Sequence, residues 1–167
     1  MFRRSVLPSV SGVLFHDHSW CYYEEMDFCH RLWIAGHEVW YVPTPPIDHF
    51  LSRTSRGFSN ATVMRQYVRN ILFSLGANLE PMNRLKILPR FYALIVGHAL
   101  VCALKGKFQL TYSDFAAIAW AWRDRAIMRA TRRDVARMRQ VADRQIFAKA
   151  MRRLSVREFI RMLRSRM

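Results

Sequence analysis

Glycine, proline, cysteine and acid are all scarce in this chain, and each scarcity excludes something. Six glycines and six prolines in 167 residues, with half the residues hydrophobic, exclude low-complexity and disordered classes. The three cysteines (Cys21, Cys29 and Cys102) are odd in number and lack CxxC spacing. A disulfide scaffold or cysteine-rich zinc site is therefore not expected, and a reducing compartment fits. The N-terminus has Arg3 and Arg4 but no long apolar run behind them, so no signal peptide is expected. The longest apolar stretch, Phe91 to Leu104, is 14 residues with Gly97 and His98 inside it. That is short of the roughly 20 residues that span a bilayer.

Acid is the rarest charge. Residues 1–80 hold seven Lys/Arg and seven Asp/Glu, whereas residues 81–167 hold twenty and five, so the net +15 lies wholly in the second half. Such asymmetry calls for an acidic partner, either anionic lipid or nucleic acid. Trp, Phe, Met and Leu interleaved with Arg at helical spacing favour an anionic membrane surface. The alternative is a small basic helical nucleic-acid-binding module, for which no motif is visible.

What acid there is concentrates in Tyr22-Tyr23-Glu24-Glu25-Met26-Asp27-Phe28-Cys29-His30-Arg31-Leu32, with three carboxylates in four residues between aromatic and apolar side chains. Like charges repel, and burial disfavours the ionised form, so this crowding marks the place to look for chemistry. The pattern predicts a helix over Glu24 to Ala35, acidic at its start and ended by Gly36. It predicts strands over Glu38 to Val42 and Ile47 to Phe50, joined through Pro45-Pro46, and a loop over Leu51 to Ser59.

Helices are expected beyond residue 60. Ala61 to Leu75 should be capped by Ser59 or Asn60 and ended by Gly76. A helix should open at Pro81 and kink or end at Pro89. Phe91 to Leu104 reads as a buried or membrane-surface helix stopped by Lys105-Gly106-Lys107. Ser113 to Arg132 reads as one amphipathic unit with Phe115, Ile118, Ala119 and Trp122 on a face. Ser155-Val156-Arg157-Glu158 has the pattern of a capping box.

Over about 40 residues the acidic motif, followed by Ala35-Gly36-His37, Tyr41-Val42-Pro43 and Asp48-His49, resembles the family 2 glycosyltransferases, in particular rhamnosyltransferase-like members. The resemblance implies an α/β remnant of a GT-A (Rossmann-like) domain over residues 1–60, carrying the acceptor side. A mainly α-helical, basic, membrane-associating extension would follow over 61–167. It implies inverting transfer of a sugar from a nucleotide-sugar to a lipid- or polysaccharide-linked acceptor, on the cytoplasmic face of the membrane. Glu25 would be the base, standing where the family has Asp. Asp27 would bind the acceptor or orient the loop, and Glu24 would open the helix. His49 would help hold Mg²⁺ or Mn²⁺, and Arg53 and Arg56 would contact the diphosphate. The family's nucleotide-binding half and its Asp-x-Asp are not found here, so the chain reads as the C-terminal portion of such an enzyme, from a truncated reading frame or from a split gene with a separately encoded N-terminal half, and is expected to be inactive alone.

Overall fold

A computed structural model describes residues 2–19, 21–40, 42–43, 45 and 57–150. A 3-10 helix, Arg4–Val10, precedes six α-helices: α1 Glu24–Ile34, α2 Asn60–Asn78, α3 Pro81–Leu104, α4 Phe108–Arg123, α5 Arg125–Met138 and α6 Asp143–Ala150. No strand occurs among the described residues.

The α/β expectation is therefore overturned, and the resemblance to GT-A glycosyltransferases falls with it, because that fold is built on a sheet. Residues 38–40 and 42 carry the side chains of a strand but have no regular structure. Trp40 and Val42 are 77% and 66% exposed. A strand is stabilised by cross-strand pairs and ladder hydrogen bonds, and no neighbouring strand among the described residues supplies them. The second predicted strand and the Ser155 capping box lie outside the described residues.

Several helix signals act locally. Ser59 caps α2, its Oγ accepting from Thr62 N at 3.2 Å. Pro81 occupies the first turn of α3, where its missing N–H removes no helical bond. α1 and α3 end in the same way. Gly36 and Gly106, both at positive φ, close double backbone bonds in which His37 N–H reaches Leu32 O (2.9 Å) and Lys107 N–H reaches Cys102 O (2.8 Å). The basic Lys105-Gly106-Lys107 stop thus turns α3 into α4.

Other signals are overridden. Gly76 lies inside α2 and does not end it. A Cβ there would collide with Met128 Sδ, and Arg132 Nε donates to Gly76 O at 2.9 Å, so this glycine lets α5 approach α2 closely. Pro89 neither ends nor breaks α3. Leu85, whose carbonyl the ring deprives of its helical donor, is an exposed residue. The unit expected over Ser113 to Arg132 divides at Asp124 into α4 and α5.

The core is centred on α2, which packs against α1, α3, α4 and α5. Val68, Leu72, Phe73 and Ala77 of α2 meet Ile95 of α3, Ala117, Trp120 and Ala121 of α4, and Met128 of α5. A second cluster packs Phe28, Leu32 and Ala35 against Val10. Buried Asp143 and half-buried Glu80 cap each other's helices: Glu80 N donates to Asp143 Oδ2 (2.8 Å) and Asp143 N to Glu80 Oε2 (3.1 Å). This ties α6 to the start of α3.

Candidate functional site

The acidic motif enters α1 through a strained turn. Tyr22 and Tyr23 have φ of 66° and 73°, a left-handed conformation that non-glycine residues adopt at a cost. Helix α2 holds it in place. The Asn70 side-chain amide donates to both Cys21 O (2.9 Å) and Tyr22 O (2.7 Å). Gln66, Asn70, Ser74 and Asn78 follow one another at intervals of four, forming a buried polar stripe along α2 that faces this turn and the start of α1.

Asp27 lies at the far end of that stripe. Its carboxylate accepts from Arg31 Nε (2.8 Å) and from Asn78 Nδ2 (2.8 Å), and His16 Nε2 is 3.7 Å away. Burial pushes the Asp27 carboxyl upward, but the charges of Arg31 and His16 and hydrogen bonds from Ser74 and Arg31 outweigh it and hold the group below its ordinary range. Arg31 is only 1% exposed, and its guanidinium also donates to Val13 O (2.5 Å) and Leu14 O (2.7 Å). The pair therefore joins α1, α2 and the loop after the 3-10 helix.

The motif's carboxylates are separated rather than pooled. Glu25 is exposed on the first turn of α1, Glu24 is half-buried, and Asp27 is internal. Tyr23 packs edge-on against Tyr67 at 6.0 Å, and burial, then Tyr67 and Asp27, push its hydroxyl up to about 12. His49, Arg53 and Arg56 lie outside the described residues. No group of three or more His, Cys, Asp or Glu among the described residues could hold a metal ion. Asp27 is committed to Arg31 and Asn78. The Mg²⁺ or Mn²⁺ centre that the resemblance implied was placed at His49 and so lies outside the described residues.

Two features were not read from the sequence. His16 and His18 stack at 5.2 Å with 15° between ring planes, and His18 lies 3.9 Å from the Phe73 ring. Burial, then the charges of His16 and Arg69, lower His18 to about 4. The Arg69 guanidinium sits 3.8 Å over Trp120. The alternation His16-Asp17-His18 carries no spacing that announces a stack. The four-residue polar rhythm of α2, by contrast, was a legible signal.

A second site is a surface. Of α3, only Ile95, Ala99 and Cys102 are buried, while Leu94, Val96, Leu100, Val101 and Leu104 are exposed, Leu104 at 89%. Antiparallel to it, α4 buries Ala117, Trp120 and Ala121 and exposes Phe108, Tyr112, Phe115, Ala119 and Trp122 at helical spacing. The face expected from Phe115, Ile118, Ala119 and Trp122 is divided: Phe115, Ala119 and Trp122 point outward, whereas Ile118 is half-buried against the core. Lys105 and Lys107 flank one end of α4, and Arg123 and Arg125 the other. α3 is the one described helix long and apolar enough to cross a membrane, with 17% of its most apolar window buried.

No family model matches the chain, and neither a curated protein nor a solved structure matches it.

Proposed function

We propose that this chain is a peripheral membrane-docking module that lies on an anionic bilayer through α3 and α4. The observation that carries the reading is the exposed apolar surface shared by the two helices, with its aromatic stripe and cationic ends. Aliphatic side chains of α3 would enter the acyl region, Tyr112 and Trp122 suit the headgroup boundary, and the lysines and arginines meet lipid phosphates. Four juxtamembrane cations at about 1 kcal/mol each supply a substantial part of the affinity. Lys105 and Lys107 at the hairpin tip, and Arg84, Lys86 and Arg90 in the first turns of α3, favour lying in the interface over crossing it. The cytoplasmic leaflet, which carries the anionic lipid, is the fitting surface.

Co-sedimentation with phosphatidylglycerol-containing vesicles tests this. Binding should fall by about tenfold or more in Leu104→Glu/Trp122→Glu, and partly with salt. Undiminished binding by that variant would reject the face. A salt-sensitive DNA gel shift without vesicle binding would favour the nucleic-acid alternative.

A second reading, sugar transfer from a nucleotide-sugar to a lipid-linked or polysaccharide acceptor, is favoured by one observation. The strained Tyr22-Tyr23 turn delivers Glu25, an exposed carboxylate, at a helix start. A base at Glu25 would take the acceptor hydroxyl's proton, with the donor bound by a separately encoded partner. Nucleoside-diphosphate release from a panel of nucleotide-sugars, with lipid-linked acceptor and that partner present, is the measurement. Glu25→Gln should lower it about 100-fold; equal release excludes Glu25 as base.

A further inference from the structure

Helices α3 and α4 enclose a three-residue relay that the docking surface does not use. Cys102 and His98 are one turn apart on α3, and Cys102 Sγ lies 3.5 Å from His98 Nε2. The other ring nitrogen, Nδ1, is 2.7 Å from Asp114 Oδ2 on α4, whose side chain is 1% exposed. Burial raises the Asp114 carboxyl, and the hydrogen bond and charge of His98 oppose it; in the ionised form Nδ1 carries the proton, which leaves the Nε2 lone pair facing the thiol. Nucleophile, base and orienting acid stand in the order that activates a thiol, and the imidazole is half exposed at 45%.

We propose that Cys102 is a site of S-acylation, with His98 as its general base and Asp114 as the positioning residue, and that the acyl donor is a long-chain acyl thioester. The reaction balances without an oxidant. His98 Nε2 takes the thiol proton, and the Cys102 sulfur forms a bond to the acyl carbonyl carbon. Collapse of the adduct breaks the carbon–sulfur bond to the carrier thiol, which leaves with the proton returned by His98. One thioester replaces another. The product would bear its acyl chain in the last turn of α3, beside Val101 and Leu104, where a chain can enter the same bilayer. The proposal rests on the docking reading only for that destination.

Exposure alone ranks the three thiols the other way. Cys102 is buried, whereas Cys21 and Cys29 are half-buried. Those two lack this arrangement, and burial together with Glu24 at Cys21 and Glu25 at Cys29 pushes their thiols upward. Among the described residues, the titratable groups bonded to His98 are Asp114 from α4 and Cys102 on its own helix.

The test incubates the full chain with alkyne-tagged palmitoyl-CoA on phosphatidylglycerol vesicles, and with soluble octanoyl-CoA without vesicles, reading intact mass and hydroxylamine-labile label. Cys102 should be acylated first in both arms, and Cys102→Ser should abolish the fast label. Asp114→Asn, with helicity checked by circular dichroism, should slow it about tenfold, and His98→Gln about 100-fold. Labelling in order of exposure, or a Cys102 rate indifferent to His98→Gln, overturns the proposal. Vesicle-bound protein left unacylated overturns it while sparing the docking reading. Selective octanoylation of a chain that ignores vesicles supports it and refutes docking.

Discussion

Replacing Arg31 by Leu isolates the contribution of the buried ion pair. The substitution leaves the Asp27 carboxylate, 5% exposed, without its closest cation, and removes the donors to Val13 O and Leu14 O. Breaking a buried pair from one side costs about 3–5 kcal/mol, because the surviving charge stays desolvated. For a chain of this size that corresponds to a fall in Tm of roughly 6–20 °C. Guanidinium unfolding followed by circular dichroism should show it. Asp27→Leu/Arg31→Leu should be less destabilised than the sum of the single variants, by at least about 1 kcal/mol, since no orphan charge remains.

The pH dependence supplies an independent sign. In the wild type the Asp27 carboxyl is depressed below its ordinary 3.8 by Arg31 and His16, so its stabilisation is present above pH 3.8 and is lost as pH falls through the lower folded value. In Arg31→Leu, burial without that guanidinium raises the same group. Protonation then relieves the variant, and its deficit should shrink on acidification toward pH 4. A loss below about 1 kcal/mol, the size of an exposed pair, would show that this ion pair does not hold the fold together.

Three further outcomes follow from single contacts. Because His18 is lowered to about 4 from 6.5, the unfolded chain binds its proton first, so stability should decline as pH falls from 6.5 toward 4. The His18 imidazole resonance should titrate near pH 4; a midpoint at 6.5 would refute its burial against Phe73. Asn70→Ala removes the donor to Cys21 O and Tyr22 O and should cost about 1–3 kcal/mol, with hydrogen exchange quickening at residues 21–25; unchanged exchange would mean the turn holds itself. Gly76→Ala should cost about 1–3 kcal/mol by driving α5 from α2, and Met128→Ala in the same chain should recover part of the loss; strict additivity would place the strain elsewhere.

Features that depend on a few neighbouring residues were legible beforehand. The helix from Glu24, its end at Gly36, the Ser59 cap, Pro81 in the first turn and the Lys105-Gly106-Lys107 stop all rest on backbone chemistry that closes within one turn. The same local reading failed at Gly76 and Pro89, because a glycine can mark close helix approach and a proline can be absorbed where its orphaned carbonyl is exposed. It failed most at residues 38–40 and 42. Their β-forming side chains were read as a strand, and the likeness of the acidic motif to a sheet-based family reinforced that reading. The motif itself could not reveal that Asp27 turns inward to Arg31 and Asn78 while Glu25 stays outside.

By itself the sequence determined the helix signals at Ser59, Gly36, Pro81 and Lys105-Gly106-Lys107 and the placement of all excess positive charge after residue 80, because each is set by residue identity and short-range geometry. Only the tertiary structure decided which way the apolar faces turn. Packing α2 against Ala117, Trp120 and Ala121 consumes one side of α4 and leaves Phe108, Phe115 and Trp122 facing out. It also decided that residues 38–40 and 42 would not become a strand and that Cys102, His98 and Asp114 would meet. The first needs ladder partners from elsewhere in the chain, and the second needs two helices laid side by side, neither of which is encoded at the positions concerned.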